Sequence, residues 1–386
     1  MITMTFGITA SAILLGAGLA AIAPAGPDQA AAAHKSGPPP KPRIEVCFVL
    51  DTTGSMSDLI EGAKRKIWSI ANEMVSAKPT PEIRLALIGY RDRGDAYVTK
   101  RLDLTNDIDA AYAHLQGFRA EGGGDTPESV NQALHEAVTK MSWSTERTVL
   151  KIIFLVGDSP PHMDYADDLR YPGVCQLAAQ RDLIINTVQC GRNVETTTVW
   201  TKIAALSEGQ YAAVAQSGGM AAIATPMDDE LADLSRKLSG TFIAYGGAGE
   251  RLALNVKLAA SASAPAAVAA DRLAFYSVSA LPYATNGELL GALHAGRVNL
   301  SAVRKEQLPE ALRPLDEAAL KVEVEKRQKT QAELQTKIQT LTRAREDYLA
   351  QERRRLAAAG KSDAFDETVA QMIQAQAARK GIQYGK

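Results

Sequence analysis

Apolar and polar positions follow two alternating rhythms through the first two-thirds of the chain. Ile44 to Leu50 is an apolar run interrupted only by Glu45. It is rich in β-branched and aromatic residues and predicts a buried strand. Leu59, Ile60, Ala63, Ile67, Ile70, Ala71 and Met74 then recur at helical spacing. Ile83 to Tyr90 predicts a second strand and Tyr97 to Leu102 a short third one, followed by a helix capped near Asn106 or Asp107. The glycines Gly122-Gly123-Gly124 precede a helix whose core face is Val130, Ala133, Leu134, Ala137, Val138 and Met141. Val149 to Val156 is the most apolar strand and ends at Gly157-Asp158. A helix over Val174 to Gln180, a strand over Leu183 to Val188, a helix carrying Trp200, Ile203, Ala204 and Leu206, and a short strand over Tyr211 to Val214 follow. Pro226 opens a closing helix with Asp228, Asp229 and Glu230 in its first turn, where negative charge suits the helix dipole. This alternation over residues 44–245 predicts an α/β domain with a doubly wound, mostly parallel sheet and helices on both faces.

The rhythm then changes. Residues 246–305 are Ala-rich, a small accessory region of unclear class. Leu252 to Leu258 alternates like a strand, and Asp271 to Ser277 fits a strand or a helix. Residues 306–386 read as a helical C-terminal region. From Leu315 to about Ala358, Leu320, Val324, Leu334, Ile338, Leu341 and Tyr348 mark a heptad seam broken by Arg327, Gln331 and Arg345. Two readings stay open there: an amphipathic helix packing on its own domain, or a coiled coil through which the chain self-associates. Arg353-Arg354-Arg355 reads as a solvated face. A second helix is expected from Asp366 to Ala378, with frayed residues after it.

The N-terminus has another character. Residues 1–25 carry no charged side chain, and Phe6 to Ile22 is apolar, followed by small-residue sites such as Ala23-Pro24-Ala25. That pattern predicts an export signal and a periplasmic or secreted protein, or an inner-membrane anchor if the segment is retained. The n-region lacks the usual Lys or Arg. Residues 26–43 are Ala-, Pro- and Gly-rich and predict an extended linker.

Composition narrows the function. With 386 residues and 46% apolar content the chain can bury a sizeable core, and a net charge of −1 argues against a nucleic-acid binder. Cys47 falls inside the first strand, whereas Cys175 and Cys190 could pair in an oxidising compartment.

The candidate chemistry lies at strand ends. Asp51, Thr53 and Ser55 share one strand-to-helix turn, and a carboxylate with two hydroxyls is a hard-oxygen set suited to Mg²⁺, Mn²⁺ or Ca²⁺. In an open parallel sheet, ligands bind beyond the carboxyl ends of the strands, where strand order reverses. Asp158 ends another strand and would face the same crevice. Asp125-Thr126-Pro127-Glu128 offers a hydroxyl and two carboxylates. Each segment has a plainer explanation: Ser55 or Ser57 as a helix cap, Thr126 as N-cap with Pro127 at N1, and Asp158 as a turn residue before Pro160-Pro161. Three such coincidences together are much rarer than one.

Those three stretches resemble the metal-ion-dependent adhesion site of the von Willebrand factor A family, over about residues 43–245. The resemblance implies a divalent ion at the top of the sheet, Mg²⁺ first, whose coordination is completed by an exposed Asp or Glu of a protein partner. It carries Asp51, Thr53 and Ser55 over directly and Asp158 as a distal carboxylate acting through water. Many members place a threonine as middle ligand, which is Thr126 here. The Asp-x-Pro-Glu spacing is more similar to integrin β subunits and points to Glu128, which is favoured. Asp125 and Asp58 stand where a neighbouring Ca²⁺ would need them, but Leu59 and Gly123 replace further oxygen ligands. Gly89-Tyr90-Arg91-Asp92 resembles family members attached to atypical kinases, yet no kinase signature is present. Arg93-Gly94-Asp95 reads as a polar loop, and His162 as a loop histidine with no nucleophile paired to it.

The main enzymatic alternative is a Mg²⁺-dependent phosphoryl-transfer hydrolase of haloacid dehalogenase type, with Asp51 as nucleophile and Asp158 as ligand. Thr53 stands where those phosphatases usually have an acid, and Ser55 and the Asp-Thr-Pro-Glu segment would have no role. The absence of a convincing base–nucleophile pair predicts a non-enzyme.

Overall fold

A strand buried on both faces organises the structure. The computed structural model describes residues 41–124, 126–218, 223–279, 287–359 and 364–385. The expected leader, most of the linker, and Asp125 lie outside them. β1 (Arg43–Asp51) sends Ile44, Val46, Phe48 and Leu50 into one core layer and Cys47 and Val49 into the other. This two-sided burial is why the run reads as continuously apolar. α1 (Ser57–Val75), β2 (Glu82–Tyr90), β3 (Thr99–Thr105), α2 (Ile108–Gln116), α3 (Val130–Thr139), β4 (Leu150–Gly157), α4 (Tyr171–Gln180), β5 (Ile184–Cys190), α5 (Val194–Leu206) and β6 (Tyr211–Val214) follow.

The six strands form one sheet in the order β3-β2-β1-β4-β5-β6. Only the β2–β3 pairing is antiparallel. β1 lies between β2 and β4, so the chain winds outward in both directions from the β1/β4 boundary. Phe48 and Phe154 stack across that boundary with ring centroids 5.4 Å apart. The fold is therefore the doubly wound α/β architecture that the alternation predicts, with the strand-order reversal beside Asp51 and Asp158.

The remaining helices are α6 (Asp228–Ser239), α7 (Ala248–Ala262), α8 (Ala266–Ser279), α9 (Leu289–His294), α10 (Glu317–Ala358) and α11 (Ala364–Ala377). Here several expectations are corrected. Leu252 to Leu258 is helical: Leu254, Lys257 and Ser261 turn inward at helical spacing, while Leu252 and Val256 face solvent. The apparent alternation came from apolar residues on both sides of an Ala-rich helix, and alanine favours the helical state. Asp271 to Ser277, for which strand and helix were both open, is helical, with Arg272 buried and bonded to Asp109 through both its Nε and Nη2.

α10 is a single long helix lying against α6 and α8 of its own chain. Leu334 and Ile338 pack with Leu231, Leu234, Leu238 and Leu273, and Leu320 and Val324 pack with Ile243 and Leu289. The residues that break the heptad seam supply polar contacts within the chain. Arg327 donates to the Phe242 carbonyl (3.1 Å), Gln331 to Thr241 Oγ1 (2.9 Å), and Arg345 to Asp228 (2.7 Å) and Asp271 (2.6 Å). The own-domain reading therefore accounts for the seam, including its interruptions.

The last described residues, up to Gly385, are packed rather than frayed. Ile382 is buried, Lys78 donates its backbone N–H to the Gln383 carbonyl, and α11 packs along α1. Cys47, Cys175 and Cys190 are all buried free thiols, so the Cys175–Cys190 pairing does not form.

Candidate metal centre

Two backbone zippers gather the candidate ligands. The Glu121 N–H donates to the Thr52 carbonyl (3.1 Å) and the Gly54 N–H to the Gly122 carbonyl (3.0 Å). The glycine loop is thus fastened to the turn after β1. Farther along, the Glu128 N–H donates to the Pro160 carbonyl (2.9 Å) and the His162 N–H to the Glu128 carbonyl (3.0 Å), fastening that segment to the loop after β4. The close approach is read from Gly123, whose φ is +71°. A side chain there would place its Cβ 2.9 Å from Thr53 Cβ and 3.3 Å from Glu128 Oε1. Glycine is the residue that fits both the conformation and the space.

Asp51 is fully buried at the end of β1. Thr53 donates to its Oδ1 through the backbone N–H (2.9 Å) and the hydroxyl (2.7 Å). The Thr53 hydroxyl lies 3.3 Å from Ser55 Oγ. Ser55 is exposed, so the group opens to solvent on that side. Asp51 Oδ2 and Glu128 Oε2 are both buried without a hydrogen-bond partner. The hydroxyl of Tyr90, at the end of β2, is equally unpartnered. It and Asp51 crowd Gly157, where an added Cβ would lie 2.6 Å from the Tyr90 oxygen and 2.8 Å from Asp51 Cβ.

Asp158 is half-buried and already bonded: Gln216 donates to Oδ2 (2.7 Å) and Ser159 to Oδ1 (3.1 Å). Thr126 is exposed and is joined to Pro127 by a cis peptide. The plainer explanation of Thr126 as a helix cap does not hold. α3 begins at Val130, and Ser129, not Thr126, precedes it. Asp58 is exposed on α1.

Electrostatics mark the cluster as unfavourable on its own. Burial pushes the Asp51 carboxyl up to about 7, against the lowering effect of its Thr53 bonds, and nearby Asp158 adds to the rise. Burial also pushes Glu128 up to about 9, helped by the charges of Asp51, Asp92, Asp95 and Asp158. Tyr90 is raised well above its ordinary range by burial and by the charges of Asp51, Glu128 and Asp158. A bound cation would reverse this logic by favouring the ionised carboxylates. Among the described residues no three His, Cys, Asp or Glu side chains form a ligand group. Any ion here depends on the hydroxyls of Thr53 and Ser55 as well as on carboxylates. Oxygen donors of that mixed kind fit a hard divalent ion.

Four residues that frame this site carried too weak a signal in the sequence. Besides Tyr90, they are Arg91, Asp92 and Tyr165. Arg91 donates to the carbonyls of Thr52 (3.1 Å) and Arg119 (2.7 Å). Asp92 accepts from Ser129 and Tyr165, and His162 stacks on Tyr165 with ring centroids 4.1 Å apart. The run Gly89-Tyr90-Arg91-Asp92 was the available clue.

Comparison with known proteins places this geometry in context. Residues 45–226 match the sequence model of the von Willebrand factor A domain. The human von Willebrand factor A domain-containing protein 7 is 34% identical over 97 residues, which are 25% of this chain and 10% of that protein. An ariadne-like RING finger protein of Acanthamoeba polyphaga mimivirus is 21% identical over 183 residues, covering 43% of this chain and 18% of the relative. The chain therefore spans less than a fifth of the length of these relatives. Among solved structures, mussel byssus proximal thread matrix protein 1, with a zinc-occupied metal-ion-dependent adhesion motif, aligns at a TM-score of 0.36 and 14% identity, over 46% of this chain and 42% of that one.

Proposed function

We propose, from the premise that residues 45–226 are a von Willebrand factor A domain, that this domain binds a divalent cation and through it an acidic side chain of a protein partner. Domains of this family are commonly metal-dependent protein-interaction modules. The observation that carries the reading is the pair of buried, unpartnered carboxylate oxygens, Asp51 Oδ2 and Glu128 Oε2, on loops that also bring Thr53 and Ser55 together.

Asp51, Ser55, Thr53 and Glu128 would hold the ion. Glu128 is preferred over Thr126 because it is buried with a free oxygen, whereas Thr126 points into solvent. Asp158, kept in place by Ser159 and Gln216, would act through water. Mg²⁺ is the expected ion, with Mn²⁺ or Ca²⁺ able to substitute. When bound, the ion supplies Lewis acidity toward a visiting carboxylate. Two protein carboxylates offset its charge and moderate that pull. The exposed side at Ser55 is where the partner would approach.

The phosphoryl-transfer alternative fares less well. Its nucleophile, Asp51, is fully buried, and Thr53, which stands where those phosphatases usually have an acid, donates its hydroxyl to Asp51 Oδ1. Export is proposed on the N-terminal pattern alone. Among the described residues no helix is long and apolar enough to cross a membrane. A pull-down from envelope extract, with Mg²⁺ and with chelator, tests the partner: capture only with Mg²⁺ supports the reading, and capture indifferent to chelator contradicts it.

A further inference from the structure

The Tyr90-Arg91-Asp92 segment touches each of the loops that bear the candidate ligands. Asp92 is its hub. It is 7% exposed, and its two carboxylate oxygens serve different loops. Oδ1 accepts from Ser129 Oγ at 2.7 Å, one residue from Glu128. Oδ2 accepts from the Tyr165 hydroxyl at 2.8 Å and lies 3.3 Å from His162 Nε2, both on the segment that follows Asp158. The Asp92 N–H donates to Asp95 Oδ2 (3.3 Å), and that same oxygen accepts the Gly123 N–H (3.2 Å). The far side of the Tyr165 ring system is covered too: the Arg93 guanidinium sits 4.0 Å from its centroid and pairs with Asp167 and Asp168.

We propose that Asp92 is a positioning residue of the metal centre, tying Glu128 to the loop after Asp158 through its separate bonds to Ser129 and Tyr165. This rests on the metal-binding reading above. Asp92 need not touch the ion. Partners of this outer kind orient ligands, and losing one typically lowers metal affinity about 10–100-fold. The hub's effect is also selective. Mg²⁺ and Mn²⁺ demand a tight, regular ligand shell, whereas Ca²⁺ tolerates longer and irregular bonds. Loosening Glu128 therefore weakens the smaller ions more than Ca²⁺.

The test is Mn²⁺ binding to the full chain by electron paramagnetic resonance, with Ca²⁺ competing, for wild type, Asp92→Asn and Ser129→Ala. Unfolding of the chelated proteins is followed in parallel. Asp92→Asn should lose about 10–100-fold in Mn²⁺ affinity and show a lower Mn²⁺-over-Ca²⁺ preference. Ser129→Ala, which removes one of the two ties, should move both in the same direction by less, and it carries the test if Asp92→Asn does not fold. A variant that only unfolds more easily, with Mn²⁺ affinity and ion preference unchanged, overturns the proposal. Failure of the wild type itself to bind Mn²⁺ overturns the metal-binding reading, and this inference with it.

Discussion

Both the backbone N–H and the hydroxyl of Thr53 donate to one oxygen of Asp51, at 2.9 and 2.7 Å, while the other oxygen is buried with no partner. One half of the carboxylate is anchored and the other half is free to serve as a ligand. Replacing Asp51 with asparagine keeps the anchored half and removes the charge. Asp51→Asn is therefore expected to melt higher than wild type in chelator at pH 8, where the buried Asp51 carboxyl is ionised and the amide that replaces it is neutral. It should gain nothing from added Mg²⁺. Thermal unfolding with and without the ion checks both halves of the expectation.

The raised carboxyls fix the pH dependence of the metal-free protein. Asp51 and Glu128 have folded values near 7 and 9, above their unfolded values of 3.8 and 4.5. For an acid raised by folding, the unfolded state releases its proton first. The stability these groups contribute is complete below about pH 4 and is lost as pH rises through 7 and then 9. Urea unfolding of chelated protein between pH 5 and 9 should show a decline that Asp51→Asn and Glu128→Gln each flatten.

Metal binding then carries a proton signature. At pH 7 the Glu128 carboxyl is mostly protonated and Asp51 about half so, and a ligand carboxylate must be ionised. Titration calorimetry in buffers of different ionisation enthalpy should report release of one to two protons per ion, falling toward zero above about pH 9.

Far from the site, Arg345 joins α10 to α6 and α8 through Asp228 and Asp271. Removing one partner of a buried ion pair leaves the other charge uncompensated. Arg345→Ala is expected to cost about 3–5 kcal/mol in chemical denaturation. Replacing the three residues together with well-packed apolar ones should recover much of that loss.

The last helix has its own polar anchor. The side-chain amides of Asn186 on β5 and Gln376 on α11 exchange hydrogen bonds of 3.0 and 2.7 Å, and both residues are fully buried. Gln376→Ala leaves Asn186 Nδ2 without its acceptor, while Asn186 Oδ1 keeps the Gln210 N–H, and should destabilise the protein by about 1–3 kcal/mol, read by urea midpoint.

The strands that lead to the candidate ligands were legible because they are buried on both faces and give nearly continuous apolar runs. The turn after β1 was legible because it sets a carboxylate and hydroxyls two residues apart. The Ala-rich helices α7 and α8 were not, because alanine marks no face and Leu252 and Val256 place apolar side chains on the exposed one. Arg345 looked like a flaw in a seam because its partners, Asp228 and Asp271, lie 117 and 74 residues away. Asp92 was hidden for the same reason: Ser129 and Tyr165 meet it only in the folded chain.

The central claim is that oxygen donors from separate loops share one hard cation. Calorimetric titration of the full chain with Mg²⁺, wild type beside Asp51→Ala, tests it most directly. The account predicts saturable binding of one ion by the wild type and none by the variant. Equal heats from the two proteins, or no binding by the wild type at all, would contradict it.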